Sequence, residues 1–502
     1  VKPTASAARM YGKPRVAAES FTSFDLQWNE HFEFLKDYAD YHFIEGVTHN
    51  VFHTFTHNPQ INFLPPGTSM GSKIGTPFLR GQTWWPYMKE FTTYLARCSY
   101  LLERGQSVSD VLWYLGDEIS HKPDQEYPFP AGYKYDYCNP DVLMNRLSVK
   151  DGLVVTPEGL SYRFIWIPEN KRMLPETLER LHTLIEQGAT VVANAPQRIA
   201  TLIGGEEAQA RFDENVKAIW GKAADGSITT LGKGRLLSGV ALEKAIEMLG
   251  IKQDVIGNVR WLHRQVKGAD WYFITPEKQQ AFQGKVTFHA QGAAELWNPV
   301  TGEITPLNVE RQGEYATVEL ELPKAGSCFV VFNQNKKQQQ TEKVQLANTQ
   351  PISTPWTIQF PEGWGAPAEL TIDHLAPWCE LPMSKEAQAF SGSATYTTTF
   401  NWSDESKEVK LDLGQVSMIA EVFVNDQKVR TLWCTPYSAD ITSYVKQGEN
   451  KLQIKVTSTW FNRLAFDASL PEAERKTWTI EGPKAGAQLK EYGLLGPVCL
   501  KY

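Results

Sequence analysis

The chain has 502 residues, with 50 Lys and Arg against 57 Asp and Glu, so its formal net charge is -7 with His neutral. Proteins that bind nucleic acid or an anionic membrane surface usually carry a net positive charge, so this mildly acidic composition gives no support to either function. Hydrophobic residues at 42% support large packed cores, and no apolar run approaches the roughly 18 residues that span a bilayer. Aromatic residues reach 12%, a composition compatible with sugar binding, because aromatic rings pack on apolar surfaces.

The first 106 residues alternate strand and helix, the repeat of a parallel α/β fold. A short apolar strand ends at Glu19, and a second strand runs from Val47 to Thr54. Helical spacing predicts one helix that ends at Gly46 and another that begins near Pro86 and ends at Gly105. The first helix places one apolar stripe inward: Trp28, Phe32, Leu35, Ala39 and Phe43.

Residues 107–257 form a second α/β unit. Apolar strands are predicted at Asp110–Leu115, Tyr162–Ile167 and Thr190–Ala193, with a helix ending at Gly188 between the last two. Such strands with short polar connectors indicate an open parallel sheet covered by helices, of the flavodoxin-like type. The unit contains no Gly-x-Gly-x-x-Gly or phosphate-loop motif, so nucleotide binding has no support.

The remaining chain is predicted to be all-β. Short alternating segments with turn residues between them indicate a β-sandwich over residues 258–345 and a jelly-roll domain over 346–502. A stretch rich in Lys and Gln, Asn333–Glu342, is the expected linker between them. The six cysteines stand far apart without a Cys-x-x-Cys pair, so we expect buried thiols rather than a zinc or dithiol site.

Glu19 is the sharpest catalytic candidate. Carboxylates at the carboxyl end of a strand occupy the position where parallel α/β barrels build their active sites. The small residues before Glu19 and the hydroxyl residues after it leave room for a ligand. The alternative is a helix-capping or surface glutamate.

Other residues are candidates for binding a substrate. His49, His53 and His57 recur every four residues; in a strand, His49 and His53 would share one side, although buried core histidines would give the same pattern. Trp84 and Trp85 begin a helix where one ring could stack on a sugar or simply pack.

Two further carboxylates come from the second unit. Glu118 follows a strand and could face a cleft, and Asp136 lies beside Tyr135 in a segment predicted to be an aromatic loop. Each could equally be structural.

Several motifs resemble one known family. The runs Gly12–Thr22, Gly46–Thr54 and Gly132–Asp136 resemble signatures of glycoside hydrolase family 106, the α-L-rhamnosidases. Four later segments resemble the sugar-binding jelly roll of family 2 glycosidases: Phe390–Tyr396, Ala420–Asn425, Gly448–Asn450 and Trp460–Arg463.

The resemblance implies an inverting hydrolase that removes terminal α-L-rhamnose from plant polysaccharides such as pectin, and a periplasmic or secreted bacterial location. Inverting enzymes use two carboxyl groups ~6.5–9.5 Å apart, and by its motif Glu19 corresponds to the general base. The resemblance also implies a calcium ion, whose ligands it does not place. His49, His53, His57, Trp84, Trp85, Tyr135 and Asp136 would then contact the sugar.

One departure from the family is expected to matter. A (β/α)8 barrel takes ~250 residues, and only the end of one fits into residues 1–106. The general acid would then lie in a missing N-terminal half, which we expect to accompany this chain, unless Glu118 substitutes for it.

Two alternatives stay open. In a retaining glycosidase similar to β-galactosidases, Glu19 would be the nucleophile and its partner would stand ~5–5.5 Å away. The chain could also be a non-catalytic fragment that binds carbohydrate.

Overall fold

The computed structural model describes residues 1–58, 64–68, 70, 74–117, 122–123, 127–168, 170–277, 280–340, 346–353, 355–404 and 408–502. Among these residues no helix combines the length and apolarity needed to cross a membrane. All six cysteines carry free thiols; five are buried as expected, and Cys379 is half-buried.

The N-terminal segment, residues 1–105, contains a two-stranded parallel sheet. The Glu19 strand is Ala17–Ser20, and it pairs in parallel with the His49 strand, His49–Phe52. The helices of this segment are Lys2–Met10, Phe32–Ile44 and Met88–Leu102, the last preceded by a 3₁₀ turn at Trp85–Tyr87. All five residues of the predicted stripe are buried, and Phe32, Leu35, Ala39 and Phe43 lie in the helix as the periodicity predicts. Trp28 was expected on the same helix but precedes it, with φ 59°.

The α/β domain is built on a six-stranded sheet, whose strands lie in this spatial order: Ser227–Leu231, Gly234–Ser238, Thr190–Ala193, Phe164–Ile167, Val111–Tyr114 and Tyr135–Cys138. The first strand is antiparallel and the other five are parallel. Numbered along the chain, the parallel strands have the order 2-1-3-4-5 of flavodoxin-like sheets. The helices are Pro140–Asn145, Pro175–Gln187, Gly205–Trp220 and Leu242–Met248. Short strands form two small additional sheets: Ser148–Lys150, Leu153–Val155 and Ser161–Tyr162, and Arg172–Met173 with Arg198–Ile199.

A β-sandwich follows, with a separate hydrophobic core between its two sheets. One sheet has four strands: Val255–Ile256, Phe282–Phe288, Tyr315–Leu322 and Glu310–Gln312. The other has six: Ile304–Pro306, Ala293–Trp297, Cys328–Asn333, Ala269–Thr275, Arg260–Val266 and Gln106–Ser107. Its last strand comes from the end of the N-terminal segment, so this sheet also holds the preceding chain in place.

The C-terminal domain is a second sandwich. Its larger sheet contains Glu369–Ile372, Trp356–Gln359, Ser393–Trp402, Gly448–Thr457, Ile419–Val424 and Gln427–Leu432. The smaller sheet contains Thr349–Pro351, Cys499–Lys501, Lys410–Asp412 and Ser438–Asp440, and a two-stranded sheet pairs Gln415–Val416 with Leu494–Gly496. Helices lie at Lys385–Gln388 and Phe461–Asp467, with 3₁₀ turns at Trp378–Glu380 and Glu472–Glu474. Its core is continuous with that of the N-terminal segment.

The first helix fastens the N-terminal segment to the α/β sheet through a buried ion pair. Arg9 Nη1 lies 2.7 Å from Asp136 Oδ1, and the hydroxyl of Ser6 donates to the same oxygen. Burial alone would raise the pKa of Asp136, but the charges of Arg9 and Lys2 outweigh it and lower that pKa. Gly46 makes the approach possible: it has φ 99°, and a Cβ there would lie 2.6 Å from the Arg9 guanidinium.

A second buried network lies where the α/β domain meets the sandwich. His263 Nδ1 is 2.8 Å from Asp254 and its Nε2 is 3.0 Å from Asp270. Tyr272 also donates to Asp254, whose N–H donates to the carbonyl of Gly132. Burial would lower the pKa of His263, but the two carboxylates outweigh it and raise that pKa to about 9. At neutral pH the imidazolium therefore holds Asp254, whose N–H contacts the α/β domain, beside Asp270 of the sandwich.

Candidate functional site

Glu19 lies on the open face of the two-stranded sheet. In the parallel register Glu19 stands opposite Val51, and both residues are exposed. The adjacent Phe52 points to the other face, where its ring lies 6.3 Å from that of Phe91 in the third helix. Because successive side chains alternate between the faces of a strand, the carboxylate of Glu19 points away from the helices.

A tight turn places a hydroxyl against this carboxylate. Thr22 Oγ1 donates a hydrogen bond of 2.5 Å to Glu19 Oε1. Between them Phe21 adopts φ 69°, a left-handed conformation that costs a non-glycine residue roughly 1–3 kcal/mol. Its ring stacks 5.3 Å from Phe52, and its carbonyl accepts the N–H of Thr76 at 3.1 Å. The turn orients one carboxylate oxygen, and the described residues provide no partner for the other.

His53 lies beside the same strand end. Its N–H donates to the carbonyl of Ser20, the residue after Glu19, at 3.0 Å. Its ring atom Nδ1 is buried and has no hydrogen-bond partner in the described parts of the chain. Gly75 packs against this ring; it has φ 80°, and a Cβ there would lie 2.6 Å from Nδ1. The packing therefore fixes this imidazole nitrogen near the end of the Glu19 strand, although it makes no hydrogen bond to the described residues.

The C-terminal domain adds an aromatic residue beside the loop that follows the His49 strand. The N–H of Trp478 donates to the carbonyl of Pro65 at 2.9 Å, and its own carbonyl accepts from Gly67. The adjacent Thr477 is buried and hydrogen-bonded through both N–H and hydroxyl to Asp467. The backbone is thus fixed from both sides, while Trp478 keeps 44% of its surface exposed.

The loop after the Glu19 strand is also covered by the C-terminal domain. The indole N–H of Trp28 donates to the carbonyl of Glu481 at 2.9 Å, and the hydroxyl of Tyr492 donates to Asn29 at 2.8 Å. Inside the loop the carboxylate of Glu30 accepts the N–H of Asn29, and burial raises the pKa of Glu30. Nothing in the local sequence predicts these contacts, because the paired segments are more than 450 positions apart.

The three predicted histidines are divided by the end of their strand. His49 is exposed in the strand, opposite Ala17 and on the Glu19 face. The strand ends at Phe52, so His53 lies outside it. The prediction that His49 and His53 share one side assumed a strand through both residues, and the strand does not extend that far. His57 is exposed in the loop beyond.

The two predicted tryptophans have different environments. Trp84 is only 2% exposed and packs between the rings of Phe32 and Phe78, so it cannot stack on a sugar and belongs to the core. Trp85 is half-buried, with its ring 6.2 Å from that of the exposed Phe55. Of this pair, only Trp85 has surface to offer a ligand.

Tyr135 and Asp136 lie in an edge strand of the α/β sheet instead of the predicted loop. Asp136 is fully buried in its ion pair with Arg9, which leaves no surface for a substrate. Tyr135 is half-buried, with its ring 5.2 Å from that of Trp113. Asp136 is therefore corrected from a sugar contact to part of the domain core, whereas the sugar contact expected of Tyr135 stays a prediction. Glu118 lies outside the described residues.

The described residues do not fit the calcium ion that the resemblance implies. Ca²⁺ takes six to eight oxygen ligands, mostly from carboxylates. Across the ranges that the structure describes, no three His, Cys, Asp or Glu side chains converge in a way that could hold a metal. The calcium ion that the resemblance implies stays a prediction.

Two longer proteins resemble the chain over almost its whole length. The rhamnosidase from Novosphingobium sp. PP1Y superposes with a TM-score of 0.90 at 30% identity, over 99% of this chain and 48% of that one. A protein of Formosa agariphila named "Putative beta-glucuronidase" is 31% identical over 96% of this chain and 60% of its own length. The chain thus spans about half the length of the proteins that it matches.

Family models match the chain in two places. A galactose-binding-like domain of family 2 glycosyl hydrolases matches residues 382–488, inside the C-terminal sandwich. The α-L-rhamnosidase model of glycoside hydrolase family 106 matches residues 1–311, which include the Glu19 strand, the α/β domain and most of the first sandwich. Since this match covers more than half of the chain, the chain belongs to glycoside hydrolase family 106, the α-L-rhamnosidase family.

Proposed function

We propose that the chain is part of an inverting α-L-rhamnosidase that removes terminal rhamnose from plant polysaccharides, with Glu19 as the general base. The observation that carries the proposal is the exposed carboxylate of Glu19 on the open sheet face, with one oxygen engaged by Thr22. Family membership and the likeness to a rhamnosidase support the choice of sugar.

Glu19 would act on the water that attacks the anomeric carbon. The hydrogen bond from Thr22 stabilises the ionised carboxylate and fixes its plane, and Glu19 Oε2 accepts a proton from the water. The glycosidic bond to the leaving oxygen breaks while the new C–O bond forms on the opposite face of the ring, so the configuration inverts.

The general acid is proposed to come from residues outside this chain. The chain spans 48% of the similar rhamnosidase, and Ala17, Glu19, His49 and Val51 present an open face. Further strands placed against the pair would turn that face into the interior of a (β/α)8 barrel, with Glu19 at its carboxyl end. We therefore expect a longer enzyme or an accompanying N-terminal half, in a periplasmic or secreted location.

The loops around this strand end would form the sugar subsites. Phe24, Phe55 and Trp478 are exposed by 80%, 60% and 44%. Exposed aromatic rings in the loops after both strands and in the covering domain are suited to stacking on successive sugar rings of a polysaccharide. The galactose-binding-like domain would then contribute directly to substrate binding.

The test is hydrolysis of an aryl α-L-rhamnoside by this chain, alone and together with the rest of the protein. Proton NMR of the first product reads its anomeric configuration, which should be inverted. Retention would instead favour a nucleophilic Glu19, and cleavage only of an aryl β-glucuronide or β-galactoside would contradict the rhamnosidase assignment. Activity only when the chain is combined with the rest of the protein would support a general base in this chain and a general acid outside it. No cleavage in any arm would leave a carbohydrate-binding role and reject the proposal.

A further inference from the structure

A cleft of about 330 Å³ opens in the α/β domain, in a different sheet from Glu19. It lies beyond the carboxyl ends of two neighbouring parallel strands, Phe164–Ile167 and Thr190–Ala193, and reaches the start of the helix Leu242–Met248. In open α/β sheets, ligands bind outside this edge of the sheet. The volume is at the lower end of the range for small-molecule sites, which suits one sugar ring or a disaccharide.

Aromatic packing builds one wall of the cleft. Trp166 and Tyr127 both line it, and their rings meet edge to face at 5.5 Å. Trp113 supports both from within the sheet, at 4.5 Å from Trp166 and 5.6 Å from Tyr127. Pro128 and Pro168 complete this apolar side. These ring contacts fix the wall in the absence of a ligand, so this side of the cleft is preformed.

Asn194 is held in position on the opposite side. Its Oδ1 accepts the N–H of Gly239 at 2.7 Å, and its carbonyl accepts the side-chain amide of Asn170. The neighbouring carbonyl of Ala193 accepts the indole N–H of Trp220 at 3.1 Å. These bonds leave the Nδ2 donors of Asn194 without a partner among the described residues.

Glu243 supplies a hydrogen-bond acceptor that complements the donors of Asn194. It lines the cleft, is exposed, and makes no hydrogen bond or ion pair to the described residues. The described residues that line the cleft include no Lys, Arg or His, so among them the carboxylate has no cation beside it. A phosphate or uronate would meet this carboxylate with no compensating charge, which disfavours anionic ligands.

We propose that this cleft is a binding site for an uncharged sugar, separate from the proposed catalytic site. Glu243 accepts hydrogen bonds from sugar hydroxyls, the amide of Asn194 donates to a hydroxyl or ring oxygen, and the apolar wall covers the C–H face of the ring. The site would hold a glycan to the enzyme independently of cleavage, so its test does not require activity.

Saturation-transfer difference NMR of this chain with L-rhamnose, D-galactose, D-glucose and D-galacturonate tests the proposal. We expect saturable binding of at least one neutral sugar, and weaker or no binding of galacturonate. Glu243→Gln and Asn194→Asp should each weaken binding about fivefold, as expected for one lost hydrogen bond. Asn194→Asp keeps the acceptor for Gly239 and so preserves the local fold.

Two controls make the result specific. Glu247→Gln, which removes a carboxylate paired with Lys244 on the same helix, should leave binding unchanged. Thermal unfolding checks that every variant is folded. Binding lost in Glu19→Gln but retained in Glu243→Gln would place the sugar at the proposed catalytic site and overturn the inference. Absence of neutral-sugar binding, or equal binding of galacturonate, would also overturn it.

Discussion

The two α/β regions of this chain are built from the same strand–helix repeat but differ in how much of the sheet is buried. In the α/β domain, three neighbouring strands at the centre of the sheet are buried at every position: Val111–Tyr114, Phe164–Ile167 and Thr190–Ala193. In the N-terminal segment, two strands have helices on one face only, and Glu19 and Val51 are exposed on the other.

This difference in burial assigns different roles to the carboxylates of the two regions. A carboxylate on an open sheet face can reach water and a substrate, whereas a carboxylate inside a covered sheet has to be paired. Glu19 shows the first condition and Asp136 the second. Substitutions should therefore affect activity in one region and folding in the other.

The largest expected effect is on activity, from Glu19→Gln. In the complete protein this change should lower kcat about 10²- to 10⁴-fold, the usual contribution of a general base, and leave thermal stability nearly unchanged. Glu103→Gln is the matched control: it removes a carboxylate that pairs with Arg15, ahead of the Glu19 strand, and should retain activity. A loss of stability in Glu19→Gln as large as the loss of kcat would make Glu19 structural.

The reverse pattern is expected for Asp136→Asn. This change leaves Arg9 and Lys2 as buried cations without their carboxylate, and removing one member of a buried pair costs about 3–5 kcal/mol. Urea unfolding of this chain measures the loss of unfolding free energy. Glu310→Gln, which breaks an exposed pair with Lys285, should change stability little. Equal effects of the two changes would contradict the anchoring role of the first helix.

Alkaline pH should weaken the junction between the α/β domain and the sandwich. The pKa of His263 is raised to about 9 by Asp254 and Asp270 against the effect of burial, so its folded state binds a proton more tightly than the unfolded chain. The stability it contributes is complete below pH ~6.5 and is lost as the pH rises to about 9. Thermal midpoints between pH 6 and 9.5 should fall, and His263→Gln should flatten this dependence. An equal slope in that variant would assign the effect to other groups.

The smallest expected effect concerns Trp478. Trp478→Ala should raise KM about fivefold for a rhamnose-containing oligosaccharide and leave an aryl rhamnoside unaffected, as expected for one lost stacking contact. Ile480→Ala, in the same loop and 57% exposed, is the matched control. Equal KM changes for both substrates would mean that Trp478 acts on the loop and not on the sugar.

Local sequence was sufficient for some strands and helices, but not for Tyr135–Cys138, a strand where the sequence predicts a loop. Thr190–Ala193 forms with the bounds predicted from its apolar run, and the inward stripe of the first long helix follows from its spacing. The Glu19 strand, expected to end at Glu19, forms at Ala17–Ser20 and so ends one residue later. Its register is set by pairing with the His49 strand, and only that partner decides where the strand ends.

The sequence by itself determined the periodicity of the elements, the motifs that carry the family and the choice of Glu19, because these depend on residues that are close along the chain. The tertiary structure alone decided that Trp84 is core while Trp478 is exposed, and that Asp136 meets Arg9. The same residue types occur in each case. Whether an aromatic ring or a carboxylate is covered depends on segments that folding brings together, such as Phe32 against Trp84 and Arg9 against Asp136, and packing between such segments leaves no local pattern.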